Sequence, residues 1–331
     1  MKESEIRPEA LFDRYLELSR RDIATFFADH AAFREIRCPA CDSKDSREGF
    51  EKLGFHYRVC EQCSSLFLSP RPTEEMQAAY SRQSEAVEFW STHFYRETAD
   101  ARREKMFRPR AQQVGALAAQ GLVPAGGTFA DIGSGYGIFL EELKSLDLFG
   151  DIVGIEPAPG LAAVCRGKGF RVIEKMVEDV AEGEVRADLA TAFEVLEHVF
   201  EPVRFLQAAA AVVRPGGILL FTTLTISGFD LQVLWNESKS IYPPHHINLL
   251  SVGGIRDLVR RSGLELVEIS TPGRLDVDIV SGMAASNRSL PLPRFVESLL
   301  ASPPSVQEDF QLFLQRSLLS SHIRVLARRP I

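Results

Sequence analysis

Three groups of residues in this 331-residue chain have types and spacings that can do chemistry. The first is Cys38-Pro-Ala-Cys41, eighteen intervening residues, then Cys60-Glu-Gln-Cys63. Each C-x-x-C turn offers two thiolates, and two such turns can close a tetrahedron around Zn²⁺. Four protein ligands leave no open coordination position, so an ion held by Cys38, Cys41, Cys60 and Cys63 would be structural. The competing reading is four free cysteines at coincidental spacing. The second group is Asp131-Ile-Gly-Ser-Gly-Tyr-Gly137, whose glycines at 133, 135 and 137 let backbone approach a ligand closely. The third is His245-His246, adjacent histidines in Ile241-Tyr-Pro-Pro-His-His-Ile-Asn248. Histidine titrates near neutrality and can take a proton from a reacting group. One or both can equally serve to pin the loop.

The glycine spacing narrows what the second group binds. A dinucleotide site needs G-x-G-x-x-G, which would place its third glycine at 138, and the sequence has Ile138 there. Asp131, two residues before the first glycine, would repel a pyrophosphate and suits a cation. S-adenosylmethionine (SAM) carries an ammonium, a sulfonium and no phosphate. Glu156 lies 23 residues after Gly133, at the end of the next apolar run, where a carboxylate can accept both hydroxyls of a ribose. That acid would serve NAD as well, so it supports an adenosine ligand without choosing the cofactor.

The series D-I-G-S-G-Y-G (131–137), I-E-P (155–157), E-D-V (178–180), E-V-L-E-H-V (194–199) and R-P-G-G (214–217) resembles class I SAM-dependent methyltransferases. With the cysteine module and the following L-F-L-S-P-R-P-T, it is similar to bacterial methyltransferases of sugar and glycan biosynthesis that carry an N-terminal zinc ribbon. The resemblance implies that Asp131, Gly133, Ser134, Gly135, Tyr136 and Gly137 form the cofactor loop, and that Glu156 and Pro157 flank the ribose. It also implies that Asp179 takes the adenine amino group, that the Val180 N–H meets a ring nitrogen, and that Glu194 sits beside the methionine part. His198 then either faces substrate or braces its loop. Related sugar C-methyltransferases have a Glu-His pair where this chain has His245 and His246, making His246 the first candidate base and His245 a departure from the pattern.

Elements that position these groups follow from periodicity. An amphipathic helix is expected over residues 8–33, with Leu11, Phe12, Tyr15, Leu16, Ile23, Phe26 and Phe27 forming its apolar stripe. Phe50, Leu53, Phe55, Tyr57 and Val59 fit the strands of a small ribbon. Thr73 caps a helix, and residues 82–121 read as mainly helical. From 127 the chain alternates strand and helix, with strands near 128–132, 151–156, 170–173, 189–193, 217–223, 264–270 and 322–327. The expected fold is α/β: a seven-stranded, mostly parallel Rossmann-like methyltransferase sheet with helices on both faces, plus the N-terminal zinc ribbon and helical segment. The expected division is residues 1–72 for helix and ribbon, 73–121 for a helical connector, and 122–331 for the methyltransferase domain. An insert at about 272–320 would be a lid, a dimer surface or a tether.

Composition sets outer limits. A formal net charge of −7 is a poor basis for binding nucleic acid. The cluster Arg102, Arg103, Lys105, Arg108 and Arg110 reads as a solvated helix face. No apolar run reaches bilayer-spanning length, and the start MKESEIRPEA has no signal-peptide core, so the expected location is cytoplasmic. Cys165 reads as a small buried hydrophobe. The expectation is a methyltransferase using SAM and structural zinc, acting on a small molecule such as a sugar, with no nucleic-acid or membrane partner. The rivals are an NAD-dependent oxidoreductase and a non-catalytic SAM-binding scaffold.

Overall fold

The computed structural model describes residues 2–331. The N-terminal stripe forms the helix Glu9–Phe26, shorter than its apolar pattern, followed by a 3-10 turn at His30–Ala32. Phe12, Tyr15, Leu16 and Leu18 pack with Ala86, Phe94 and Tyr242. The aromatics between Tyr80 and Phe94 thus serve packing, with Tyr80 and Phe94 almost wholly enclosed. The ribbon consists of β1 (Ser46–Lys52), β2 (Phe55–Cys60) and β3 (Leu66–Leu68), antiparallel in that order.

Parallel strands follow. They are β4 (Gly127–Ile132), β5 (Phe149–Ile155), β6 (Arg171–Ile173), β7 (Ala187–Phe193) and β8 (Val213–Leu224). A two-residue strand, β9 (Asn248–Leu249), then pairs with β3 and makes the ribbon a four-stranded sheet, β1-β2-β3-β9. The chain ends through β10 (Glu265–Ser270) and β11 (His322–Arg328). The larger sheet has the order β10-β11-β8-β7-β4-β5-β6, and the pairings joining β6, β5, β4, β7 and β8 are parallel. Its core includes Phe129, Leu140, Leu143, Leu189, Ile218 and Leu220, apolar on near-continuous runs as strands covered on both faces require.

Two details differ from the periodicity. Arg214-Pro-Gly-Gly217 lies within β8 rather than ahead of it, opposite an irregularity between Ala187 and Leu189 that absorbs the extra residues. The 272–320 stretch, read from the sequence as an insert, contains three helices, Asp276–Ser286, Arg294–Leu300 and Pro304–Arg316.

The chain divides into two compact units. One comprises the residues up to Thr98 with Leu224–Ile255 and Ser270–Ile323; the other comprises Ala99–Thr223, Arg256–Ile269 and Arg324–Ile331.

Candidate functional site

The second unit holds the glycine loop. β4 ends at Ile132 and the next helix starts at Ile138, with Gly133, Gly135 and Gly137 all in the left-handed region at φ 76°, 53° and 69°. Side chains there would be strained, which explains three glycines in five residues. Beneath the loop, the Cys165 thiol donates to the Gly135 carbonyl at 3.0 Å. A Cβ on Gly137 would come within 2.9 Å of the same sulfur. Cys165 is buried, as expected of a small hydrophobe, and also props the loop. Ser134 is buried beside it, and Tyr136 is half-exposed.

Two carboxylates flank the loop. Glu156, buried at the end of β5, accepts the Gly135 N–H on one oxygen (2.8 Å) and the Ala158 N–H on the other (2.9 Å). Each oxygen keeps a second lone pair, so these bonds orient the carboxylate without exhausting it. Burial pushes its titration upward, opposed by the two N–H donors. Pro157 follows, and the helix Pro159–Gly167 begins soon after. Asp131, 4% exposed, accepts a bond from the Thr191 hydroxyl at 2.6 Å. Burial raises it to about 7, against the opposing Thr191 hydrogen bond and the nearby Arg110 charge. A buried acid at that value is neutral or charged according to what binds next to it.

Glu194 follows β7 with φ 56°, an unusual conformation for a glutamate. Its carboxylate accepts from Arg110 at 2.8 Å and from the Thr222 hydroxyl at 2.6 Å, while the Arg110 guanidinium lies 4.7 Å from the Phe193 ring centre. Three residues on, Glu197 is 2% exposed and accepts the Thr223 hydroxyl at 2.8 Å. Burial and the neighbouring Glu194 charge lift it to about 8. His198 is exposed, with its N–H bonded to the Val195 carbonyl. Asp179 is exposed in a short 3-10 turn, and the Val180 N–H bonds the Val177 carbonyl at 3.2 Å.

The basic cluster is not the solvated face that its composition suggested. Arg103 pairs with Glu141 and Glu142 at 2.6 and 2.7 Å, Arg108 with Glu142 at 2.9 Å, and Arg110 with Glu194. The acids lie more than thirty positions along the chain, so periodicity on the helix itself could not reveal them. Glu197 was also missed, although its place three residues after Glu194 was visible.

The first unit holds Cys38, Cys41, Cys60 and Cys63 together with the pair His245-His246. The four Sγ atoms lie within 4.8 Å of one another. Cys38 and Cys63 are 3.6 Å apart and Cys41 and Cys60 3.5 Å apart, each distance joining one knuckle to the other. A tetrahedron with Zn–S bonds of about 2.3 Å has edges of about 3.8 Å, and a disulfide would need about 2 Å. The donor set therefore fits a four-thiolate zinc ion and not a disulfide. The knuckles are closed by Asp42 N–H to Cys38 carbonyl (2.9 Å) and Ser64 N–H to Cys60 carbonyl (3.0 Å), with Asp42 and Ser64 at positive φ.

The histidine loop is tied to that ribbon. The Tyr57 hydroxyl donates to the His246 carbonyl at 2.7 Å, and the His246 Nδ1 contacts the Ser240 carbonyl at 2.5 Å. A carbonyl only accepts, so Nδ1 carries the proton in this contact. His245 Nε2 makes a short hydrogen bond with the Tyr80 hydroxyl, and its ring packs beside Tyr15 and Tyr80. After β9, Ser251 caps the helix Val252–Arg261 by accepting the Gly254 N–H at 2.8 Å. The Ser251 N–H also reaches the Ser65 hydroxyl at 3.0 Å, and its hydroxyl donates to the Cys63 carbonyl.

Comparison with known proteins bears on this arrangement. A family model described as a methyltransferase domain matches residues 99–269. The ubiquinone biosynthesis O-methyltransferase of Xanthomonas axonopodis pv. citri is 31% identical over 162 residues, 45% of this chain and 67% of that protein. The protein of the same name in Azorhizobium caulinodans is 36% identical over 115 residues, 32% of this chain and 45% of that protein. The chain thus spans about two thirds of the first relative and less than half of the second. Among solved structures, the plantazolicin methyltransferase BpumL in complex with SAH is 14% identical, covering 77% of this chain and 94% of that one at a TM-score of 0.48. The chain belongs to the methyltransferase-domain family and is a SAM-dependent methyltransferase.

Proposed function

We propose that this enzyme methylates a hydroxyl group on a small molecule, with His246 as the base and Cys38, Cys41, Cys60 and Cys63 holding a structural zinc ion. The observation that carries the reading is the loop at 131–137, phosphate-averse through Asp131 and backed by Glu156. SAM supplies an electrophilic methyl on a sulfonium. The chain's residues do the remaining work: Asp131 and Glu194 offer negative charge, Glu156 orients toward a ribose, and Asp179 and Val180 flank the adenine. His246, with its proton on Nδ1, would serve as the base that takes the proton of the acceptor hydroxyl on Nε2. Positioning and exclusion of water contribute the rest of the rate. His245, bonded to Tyr80, holds the loop.

For the acceptor, the resemblance of the ribbon and motif series favours a sugar hydroxyl, nucleotide-linked or within a glycan. Relatives named for ubiquinone biosynthesis support oxygen as the acceptor atom and make a ubiquinone precursor the second candidate. Methyl transfer from labelled SAM into a host extract, followed by identification of the labelled product, separates the two. Label in a product with a new carbon–methyl bond would overturn the hydroxyl assignment. His246→Ala is expected to leave SAM affinity nearly unchanged and to lower turnover by roughly 10²–10⁴-fold. Unaltered turnover would remove His246 from the role. Titration with NAD and with S-adenosylhomocysteine tests the cofactor reading, which saturable binding of NAD alone would refute. Metal analysis of fresh protein is expected to find one zinc per chain.

A further inference from the structure

The helix Pro304–Arg316 carries a face that the proposed methyl transfer leaves unexplained. Its inner side is settled: Leu314 is buried, and Gln311 and Gln315 donate to the Gly273 carbonyl at 3.0 and 2.7 Å. Its outer side is not polar. Val306, Leu312 and Phe313 are 44%, 43% and 52% exposed, and Phe295 on the preceding helix Arg294–Leu300 is 65% exposed. At 100° per residue, Val306, Asp309, Leu312, Phe313 and Arg316 fall within an arc of about 120°. Beside them a shallow groove of about 360 Å³ runs between the two helices, lined by Phe295, Leu299, Val306 and Phe310. Single exposed apolar side chains are ordinary, but a contiguous patch with an adjoining groove marks a contact surface.

The order of residues on this face says what covers it. About the midpoint between Leu312 and Phe313, Asp309 and Arg316 are equidistant on the helix. An antiparallel copy of the same helix, crossing at that midpoint, sets Asp309 of each copy opposite Arg316 of the other. It also brings Leu312 and Phe313 of the two copies together at the crossing point. A twofold axis requires such self-complementarity, in which each residue meets its counterpart's partner in both directions. We infer that the exposed face of Pro304–Arg316 is a homodimerisation surface, closed by antiparallel pairing with the same helix of a second copy.

The geometry makes a charge-swap test decisive. Sedimentation velocity on the full chain at low salt, over the micromolar range, is expected to show a monomer–dimer equilibrium. Asp309→Arg, or Arg316→Asp, places like charges opposite one another twice by symmetry and raises the dimer dissociation constant about tenfold or more. Combining the two substitutions re-forms both pairs in the opposite sense and returns the constant to near the parental value. Phe313→Glu abolishes the dimer. Circular dichroism and melting of each variant verify that it is folded, which these exposed positions favour. A chain that stays monomeric throughout overturns the inference. So does a dimer indifferent to the single reversals, or one that the double reversal fails to restore, since either means a different surface or partner. None of these readouts depends on methyl transfer, so the proposed activity stands or falls separately.

Discussion

Asp131 shows how one residue's environment sets its chemistry. Burial raises its carboxyl to about 7, while the Thr191 hydroxyl and the Arg110 charge oppose the rise and Glu156 adds to it. A cationic ligand stabilises the ionised form, so binding at lower pH must release a proton. SAM affinity is therefore expected to weaken as pH falls below about 7, by up to tenfold per unit. Calorimetric titrations between about pH 5.5 and 8.5 measure this slope. Asp131→Asn should bind SAM more weakly at the alkaline end and lose most of the slope, Glu156 accounting for any remainder. A slope unchanged in that variant would show that Asp131 does not face the cofactor's charge. Asp131 stood out in the sequence because of its distance from Gly133. Its protonation behaviour did not, because the burial that raises it is set by the fold, and the Thr191 hydroxyl that opposes the rise comes from sixty positions away.

At the scale of elements, the ribbon and the histidine loop form one structure. β9 extends the ribbon sheet through Leu66↔Leu249 and Phe67↔Asn248, the buried Arg71 guanidinium bonds Asn248, and Tyr57 of β2 holds the His246 backbone. The proposed zinc ion would join the two knuckles of the ribbon and so add to its order. Removing zinc, or replacing Cys60 with Ser, is thus expected to lower the melting temperature and to reduce turnover. SAM affinity should change much less, because the cofactor loop belongs to the other unit. Parallel loss of SAM binding and turnover would contradict that separation. The knuckles were legible from spacing alone. β9 was not, since two residues show no alternation, and the helix Asp276–Ser286 was hidden by Gly282 and by apolar residues on several sides.

For the molecule as a whole, buried carboxyls govern the response to pH. Asp131 and Glu197 rise to about 7 and about 8, and Asp230, buried beside Asp276, also lies well above its ordinary value. In the unfolded chain such groups titrate near 4. A raised folded value means that stability is fully present below about pH 4 from these groups and is lost as pH rises through 7 and 8. The melting temperature is therefore expected to fall between about pH 4 and pH 8 and to level off above that. Glu197→Gln keeps the acceptor for Thr223 and removes one ionisation, so it should melt higher than the parent at the alkaline end and similarly at the acid end. Equal alkaline losses in both proteins would mean that Glu197 is already ionised when folded. Among the described residues no helix is long and apolar enough to cross a membrane.

What the sequence determined by itself was local: the cysteine knuckles, the glycine turn between strand and helix, and the alternation that implies a parallel sheet. Each depends on residues a few positions apart, whose geometry the backbone already constrains. Tertiary structure decided which charges are paired and which groups are buried. Arg110 left a presumed solvent face to meet Glu194, Cys165 became the prop under Gly135, and His246 acquired its tautomer from Ser240. Ionisation and hydrogen bonding depend on what lies within a few ångströms, and for these residues the neighbours come mainly from elsewhere in the chain. The outer face of Pro304–Arg316 combines both kinds of information. Its residue order was present in the sequence, but only the folded chain distinguished the buried side from the side left open.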